Sequence, residues 1–342
     1  MVPALVLTAG LATRLRPLSF VRAKAALPVA GVPLAHRILK SLADAGVTDA
    51  VLNLHHLPHT LTALTGDGTS LGLRVRYSWE VPVLGSAGGP RRALPLLRDL
   101  ESTPNPESRP STLLGTPRAI VEGRIPNSGS TFLIVNGDTL TDVDVRAVVS
   151  SHQKSGALVT IAVVPNTEPD KYGGAVVDGD GSITGFAKRG SADGSFHVIG
   201  VQVAEAEAFA SVPSDVPFES FRALYPSIIA SRPGSIRAFH ATAEFFDIGT
   251  PADYLDTSLR IAEREGHSPG GHAQVDPSAR IERSVLWDDV VVEAGAMLNE
   301  CVVTDGVRIP SDTSWHGVTI RIADGELAPG EQRIGHLAIG SL

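Results

Sequence analysis

The chain opens on a short apolar run, ALVL (4–7), and then alternates two patterns of hydrophobic and polar positions. HRILKSLADAG (36–46) has apolar residues at helical spacing and ends on a glycine, the usual stop for a helix. DAVLNL (49–54) reads as a strand, PHTLTALTG (58–66) as a helix, LRVRYSWE (73–80) as a strand and GGPRRALPLLRDL (88–100) as a helix. TFLIVNGD (131–138) is a strand ending on a carboxylate. Strands that alternate with helices predict βαβ units: an α/β, Rossmann-like fold with a mixed, mostly parallel sheet and helices on both faces.

Residues 101–130 break this rhythm with Pro, Ser, Thr, Gly and Asn, and read as a flexible surface insertion, with a lid over the site as the alternative. From 157 the pattern turns β-rich: ALVTIAVV, a hairpin in GGAVVDGDGSITGF, and FHVIGVQVA. Two helix-like stretches, FESFRALYPSIIAS and PADYLDTSLRIAERE, then bracket a strand and EFFDIGT.

Beyond about residue 270, Ala279, Val285, Val291, Met297, Val303 and Ile309 are apolar at strict six-residue spacing. That period predicts a short left-handed parallel β-helix-like module, each coil stacking an inward apolar residue on its neighbour. The expected division is a catalytic domain over 1–265 and a small hexapeptide-repeat module over 272–342. Flat coil faces and exposed edges on such a module predict a homo-oligomer, a dimer or higher.

Charge changes the picture locally. The chain carries 37 acidic and 29 basic side chains, a formal charge of −8, which argues against a general nucleic-acid or membrane-surface binder. Yet no acidic residue precedes Asp44, and Arg14, Arg16, Arg22 and Lys24 crowd the loop after the first strand. A single cysteine, Cys301, leaves no intrachain disulfide and no cysteine-based metal site. The opening segment lacks the positive n-region of a signal peptide, and no apolar run is long enough to span a bilayer, so the cytoplasm is the expected location.

The loop's chemistry points to phosphate. A strand ending in Thr8-Ala9-Gly10 lets the backbone pass close to a ligand, and Arg14 and Lys24 can neutralise phosphate oxygens. By spacing alone, a solvated basic loop remains an equal reading. His55, His56 and His59 read as structural or pocket-rim residues rather than metal ligands.

LTAGLATRLRPLS…RAKAALPVAGVPL resembles the signature of sugar-1-phosphate nucleotidyltransferases, AGxGTRLxPLT…PKPLxPVxGxPL. The likeness continues in order through LGSAGGPRRALPLL (84–97), NGDTL (136–140), YGGAVVDGDGSITGFAK (172–188) and FFDIGTPADYL (245–255). The resemblance implies an enzyme of the EC 2.7.7 type that joins a nucleoside triphosphate to a sugar 1-phosphate and releases pyrophosphate, with Mg²⁺ as cofactor. Carried over by position, it implies Arg14, Lys24, Asp138 and Asp247 as catalytic residues, the two aspartates holding Mg²⁺. Leu7, Ala9, Gly10, Ala12, Gly85, Ser86 and Gly88 would bind the nucleotide; Gly173, Lys188 and Gly200 would bind the sugar phosphate.

Some positions depart from the pattern. Ala12 stands where glycine is usual, Ala23 and Ala25 replace prolines beside Lys24, and Ala187 and Arg189 flank Lys188 where glutamate and proline are common; Val32 replaces a polar residue. The missing prolines imply a looser loop, and the missing glutamate implies a different sugar or a shifted pose. Length and the C-terminal repeats are similar to mannose-1-phosphate guanylyltransferases, the expected activity. LNLHHLPHTLTALTGDGTSLGLRVRYS is similar to N-acetylmuramate 1-phosphate uridylyltransferases. The alternatives are a uridylyl- or thymidylyltransferase for another sugar 1-phosphate, or a catalytically silent regulator that binds a nucleotide sugar. A Rossmann dehydrogenase fits poorly, because the first turn lacks GxGxxG.

Overall fold

A computed structural model describes residues 1–101, 130–266 and 272–342. The expected insertion therefore lies almost wholly outside the described residues. In chain order the first part contains β1 (Ala4–Leu7), α1 (Leu34–Asp44), β2 (Asp49–Leu54), α2 (Pro58–Thr65), β3 (Arg74–Trp79), α3 (Gly85–Glu101), β4 (Thr131–Asn136), β5 (Thr139–Thr141), α4 (Val145–Ser155), β6 (Val159–Pro165), β7 (Gly174–Val177), β8 (Ile183–Ala187), β9 (Phe196–Glu205), α5 (Tyr225–Ser231), β10 (Ile236–His240), β11 (Phe245–Asp247) and α6 (Pro251–Glu265).

The main sheet runs β8-β7-β9-β4-β1-β2-β3, with β6 pairing both β9 and β10. β4, β1, β2 and β3 are parallel, whereas β9 is antiparallel to β4 and β6, so the sheet is mixed as the pattern predicts. Side chains alternate across β1: Ala4 and Val6 enter one core with α1 and α6, and Leu5 enters the other with α3. Both faces are thus buried, which is why the central strands read as unbroken apolar runs. Among the described residues no helix is long and apolar enough to cross a membrane.

The C-terminal residues form three columns of parallel strands, running through Gln274–Val275, Arg280–Glu282 and Val285–Leu286 in the first coil. Each strand pairs with the one 17 residues on, as Gln274 with Val291 and Val291 with Arg308. An antiparallel pair, Gln332–Ile334 and Leu337–Ser341, adds to the column that ends at Val318–Ile322. The β-helix-like architecture is as expected, but the strict six-residue ladder is not. The inward stack is Leu286, Val292, Leu298, Val303, Ile309, Trp315 and Ile320, with one step of each coil shortened to five. A ladder of sixes slips one residue per coil: Val303 and Ile309 lie in the stack, but the same spacing one coil earlier falls on Val291, only partly buried, and on Met297, which is exposed. Val285 packs against the N-terminal core instead, together with Trp287 and Val302.

Candidate functional site

Two short strands build the acidic side of the site. β4 ends at Asn136, Gly137-Asp138 turn the chain, and β5 follows at once. Gly137 donates its N–H to the Leu7 carbonyl at 3.0 Å, and a Cβ there would stand 2.6 Å from that oxygen. Only glycine lets the two strand ends approach so closely. β11 then pairs antiparallel with β5, setting Asp247 opposite Thr139, while the Ile248 N–H donates to the Asp138 carbonyl at 3.2 Å. Asp138 and Asp247, far apart in sequence, become neighbours through this ladder.

The basic loop closes over them. Lys24 opens a 3₁₀ turn, and its Nζ stands 2.8 Å from Asp138 Oδ2. Arg14 lies over the turn after Asp247, its guanidinium nitrogens 3.6 Å from where a Cβ on Gly249 would sit. Burial pushes the Asp247 carboxyl above its ordinary range and Asp138 adds to this, while Lys24 and Arg14 act in the opposite sense. Leu7, Thr8, Gly10, Ala12, Arg14, Lys24 and Asp138, with Gly137 and Gly249, line a cleft of about 240 Å³.

Ala12 keeps the turn expected of glycine, at φ 47° and ψ 44°, in the left-handed region. Its carbonyl accepts from Leu15 N and from Ser19 Oγ, each at 3.0 Å. The segment around Lys24 is held by other means than proline. Ala23 and Ala25 are buried, and the Ala23 N–H donates to Thr60 Oγ1 at 3.0 Å, a bond a proline could not make. His56 Nε2 bonds the Ser19 carbonyl at 2.7 Å and His55 Nδ1 the Glu80 carbonyl at 2.9 Å, so both histidines brace main chain near the cleft.

The other predicted residues stand apart from this lining. Ala9 is buried, its N–H donating to Asn53 Oδ1 at 3.2 Å. Gly85, Ser86 and Gly88 start α3, where the segment 216–220 lies across them. The Phe218 carbonyl accepts from Ala87 N and Gly88 N, and Ser86 Oγ donates to Glu219 Oε2 at 2.8 Å. Gly85 sits at φ +76°, and a Cβ would meet Glu219 Oε1 at 2.6 Å. Gly173 faces the Ala187 carbonyl, beside an exposed Lys188. Gly200, at φ +79°, packs on Asn136 where β9 shifts register. Next to Gly173, His197 stacks on Phe245 at 4.4 Å and lies 4.3 Å from Tyr172; burial pushes its pKa down to about 4.

Sequence reasoning missed the polar chain that joins the loop after β1 to α3. Asn53 Oδ1 accepts from the Thr8 N–H at 2.5 Å, and its Nδ2 donates to Glu80 Oε1 at 2.7 Å. Glu80 Oε2 accepts from the Leu84 N–H at 2.8 Å. Glu80 is only 1% exposed, so this carboxylate is spent entirely on positioning. The signal was present in a polar residue near the end of each of two neighbouring strands, DAVLNL and LRVRYSWE.

A family model described as "Nucleotidyl transferase" matches residues 3–264. The chain is 27% identical to a mannose-1-phosphate guanylyltransferase of Mycobacterium tuberculosis, over 90% of this chain and 81% of that protein. It is 24% identical to a UTP–glucose-1-phosphate uridylyltransferase of Synechocystis, over 90% of this chain and 76% of that protein. Its fold is similar to the crystal structure of HddC from Yersinia pseudotuberculosis complexed with GMP-PN, with a TM-score of 0.59 and 21% identity over 76% of this chain and 100% of the other.

Proposed function

Because the chain belongs to the nucleotidyl transferase family, we propose that its cleft joins a nucleoside triphosphate to a sugar 1-phosphate, giving a nucleotide sugar and pyrophosphate. The observation that carries this reading is the meeting of Asp138 and Asp247 at the end of one short ladder, with Lys24 and Arg14 beside them. GTP and mannose 1-phosphate are the substrates best supported, since over an equal 90% of this chain the guanylyltransferase relative is 27% identical and the uridylyltransferase relative 24%.

Both reactants are anions, so the barrier is repulsion and alignment. Arg14, with a planar fork of donors, suits two oxygens of the triphosphate; Lys24, a point charge on a flexible stem, suits the incoming sugar phosphate. Leu7, Ala9, Gly10 and Ala12 would line the nucleotide, Gly85, Ser86 and Gly88 its nucleoside end, and Gly173, Lys188 and Gly200 the sugar phosphate. A sugar-phosphate oxygen attacks the α-phosphorus; the new O–P bond forms as the bond to the β-phosphate oxygen breaks, and pyrophosphate leaves. No proton need move, because the nucleophile is already ionised.

The donor set fits Mg²⁺. Two carboxylates are hard oxygen ligands, and burial first, then the neighbouring Asp138, disfavours the charged form of Asp247, a cost that a bound dication would offset. Bound there, Mg²⁺ would offset charge on the phosphate oxygens.

Pyrophosphate release should be measured with GTP, UTP, dTTP, ATP and CTP, each against mannose, glucose and N-acetylglucosamine 1-phosphates. The reading expects release with GTP and mannose 1-phosphate. Release with UTP and glucose 1-phosphate instead would keep the reaction and change the substrates; no release from any pair would overturn both.

A further inference from the structure

The four basic residues of the first loop do not act as one field. Arg14 and Lys24 face the cleft, whereas Arg22 turns the other way, into the C-terminal coils. Its Nε and Nη2 each donate to Asp305 at 2.7 Å, and Nη2 also reaches Asp288 at 2.7 Å. The guanidinium lies 5.5 Å from the centre of the Trp287 ring, and the side chain is 13% exposed. Asp305 and Asp288 are part-exposed, but bidentate contact to a guanidinium shielded to this degree holds geometry in a way that a fully exposed ion pair does not.

Two further ties reach the same loop from the same module. Trp287 Nε1 donates to Tyr254 Oη at 2.8 Å, and Tyr254 in turn donates to the Pro28 carbonyl at 2.5 Å. On the other side, the Arg321 guanidinium sits 5.2 Å from the Phe20 ring centre and is fixed by buried Glu331 at 2.7 Å. Residues 20–28 are therefore gripped at both ends, Phe20 and Pro28, and again at Arg22. Lys24 stands between these grips, two residues beyond Arg22. Asp305 Oδ1 also accepts from the Asp288 N–H at 3.2 Å, which fixes the two carboxylates relative to one another where Arg22 meets them.

We infer that Arg22 is a positioning residue for the transfer reaction: through Asp305 and Asp288 the C-terminal coils set where Lys24 stands over the cleft, which makes the coiled module part of the transfer site. This rests on the reading of Lys24 as a phosphate-holding group.

The test uses the full chain with Arg22→Met, Arg22→Lys, Lys24→Met and the Arg22→Met/Lys24→Met pair, reading initial rates of pyrophosphate release and amide hydrogen exchange over residues 23–27. Arg22→Met should lower kcat roughly ten- to a hundredfold, the scale expected of a displaced group, with KM for the triphosphate changed by about twofold or less. Arg22→Lys, which keeps one ion pair, should recover part of that loss. In the Lys24→Met background, Arg22→Met should cost less than about twofold more, because both changes remove one contribution. Exchange over 23–27 should quicken in Arg22→Met. A fully additive double variant, or an Arg22→Met enzyme with unchanged kcat, overturns the inference while wild-type turnover leaves the transfer reaction standing. If the wild type turns over no pair, the transfer reading falls; unchanged exchange over 23–27 then also overturns the link between module and loop.

Discussion

The buried chain Thr8–Asn53–Glu80–Leu84 allows a sharp prediction, because its donors and acceptors are fixed by backbone at both ends. The N–H groups of Thr8 and Ala9 occupy Asn53 Oδ1, and the Leu84 N–H occupies Glu80 Oε2. Between them, Asn53 Nδ2 donates to Glu80 Oε1. Glu80→Gln keeps the shape but replaces one acceptor with a donor. If the new NH₂ faces Leu84 N–H, two donors meet. If it faces Asn53, the Asn53 amide must flip, and its NH₂ then meets Thr8 N–H. Every arrangement leaves buried donors unpaired, so the variant should lose about 2–3 kcal/mol of stability, the range for an orphaned buried group next to a lost charged acceptor. Pairing Glu80→Gln with Asn53→Asp restores the sequence of donors and acceptors. The introduced aspartate accepts from Thr8 and Ala9 and also from the amide of the introduced glutamine, whose oxygen accepts from Leu84. Urea unfolding of the wild type, both single variants and the double variant forms the assay. The double variant should recover most of the loss. Glu80→Gln within about 0.5 kcal/mol of wild type, or a double variant as weak as the sum of the singles, would refute the reasoning.

Ala12→Gly should be neutral or stabilising by up to about 1 kcal/mol, since relief of the left-handed φ outweighs the added freedom of the unfolded chain; a thermal melt showing clear destabilisation would count against it. For Asp247, whose folded pKa lies above the ordinary 3.8, stability is full below that ordinary value and is lost as pH rises through the folded one. Asp247→Asn in chelator should therefore be more stable than wild type at pH 7 and similar at low pH, and a less stable variant at neutrality would contradict the assignment. His197 has its pKa depressed from 6.5 to about 4, so its contribution is present above 6.5 and lost as pH falls toward 4. His197→Phe should flatten that decline in denaturation curves; an unchanged pH profile would show that the imidazole is not buried as described.

Much of the fold was legible because period and punctuation agree along the chain. ALVL, DAVLNL and TFLIVNGD read as buried strands, and they are the parallel centre of the sheet. The site was legible only in part. The motifs supplied Asp138 and Asp247, but no local pattern shows that β5 and β11 pair, since that contact is formed by distant segments. The six-residue ladder failed for a geometric reason: a 17-residue coil shares sixes with an ideal repeat for two corners and departs at the third. Arg22 was indistinguishable from Lys24 by charge, because its partners lie 266 and 283 residues away. Asn53 and Glu80 looked like ordinary strand residues, since burial and mutual hydrogen bonding appear only after β2 and β3 align.

The central claim is that Asp138 and Asp247 act together, with Arg14 and Lys24, in nucleotidyl transfer. Its most direct test is pyrophosphate release by Asp138→Asn and Asp247→Asn in saturating Mg²⁺, with circular dichroism and melting curves confirming the fold. The account predicts that each variant stays folded and that turnover falls by at least about a hundredfold, the scale of removing preorganised charge stabilisation at a reacting phosphate. Folded variants of either kind with near wild-type release would contradict it.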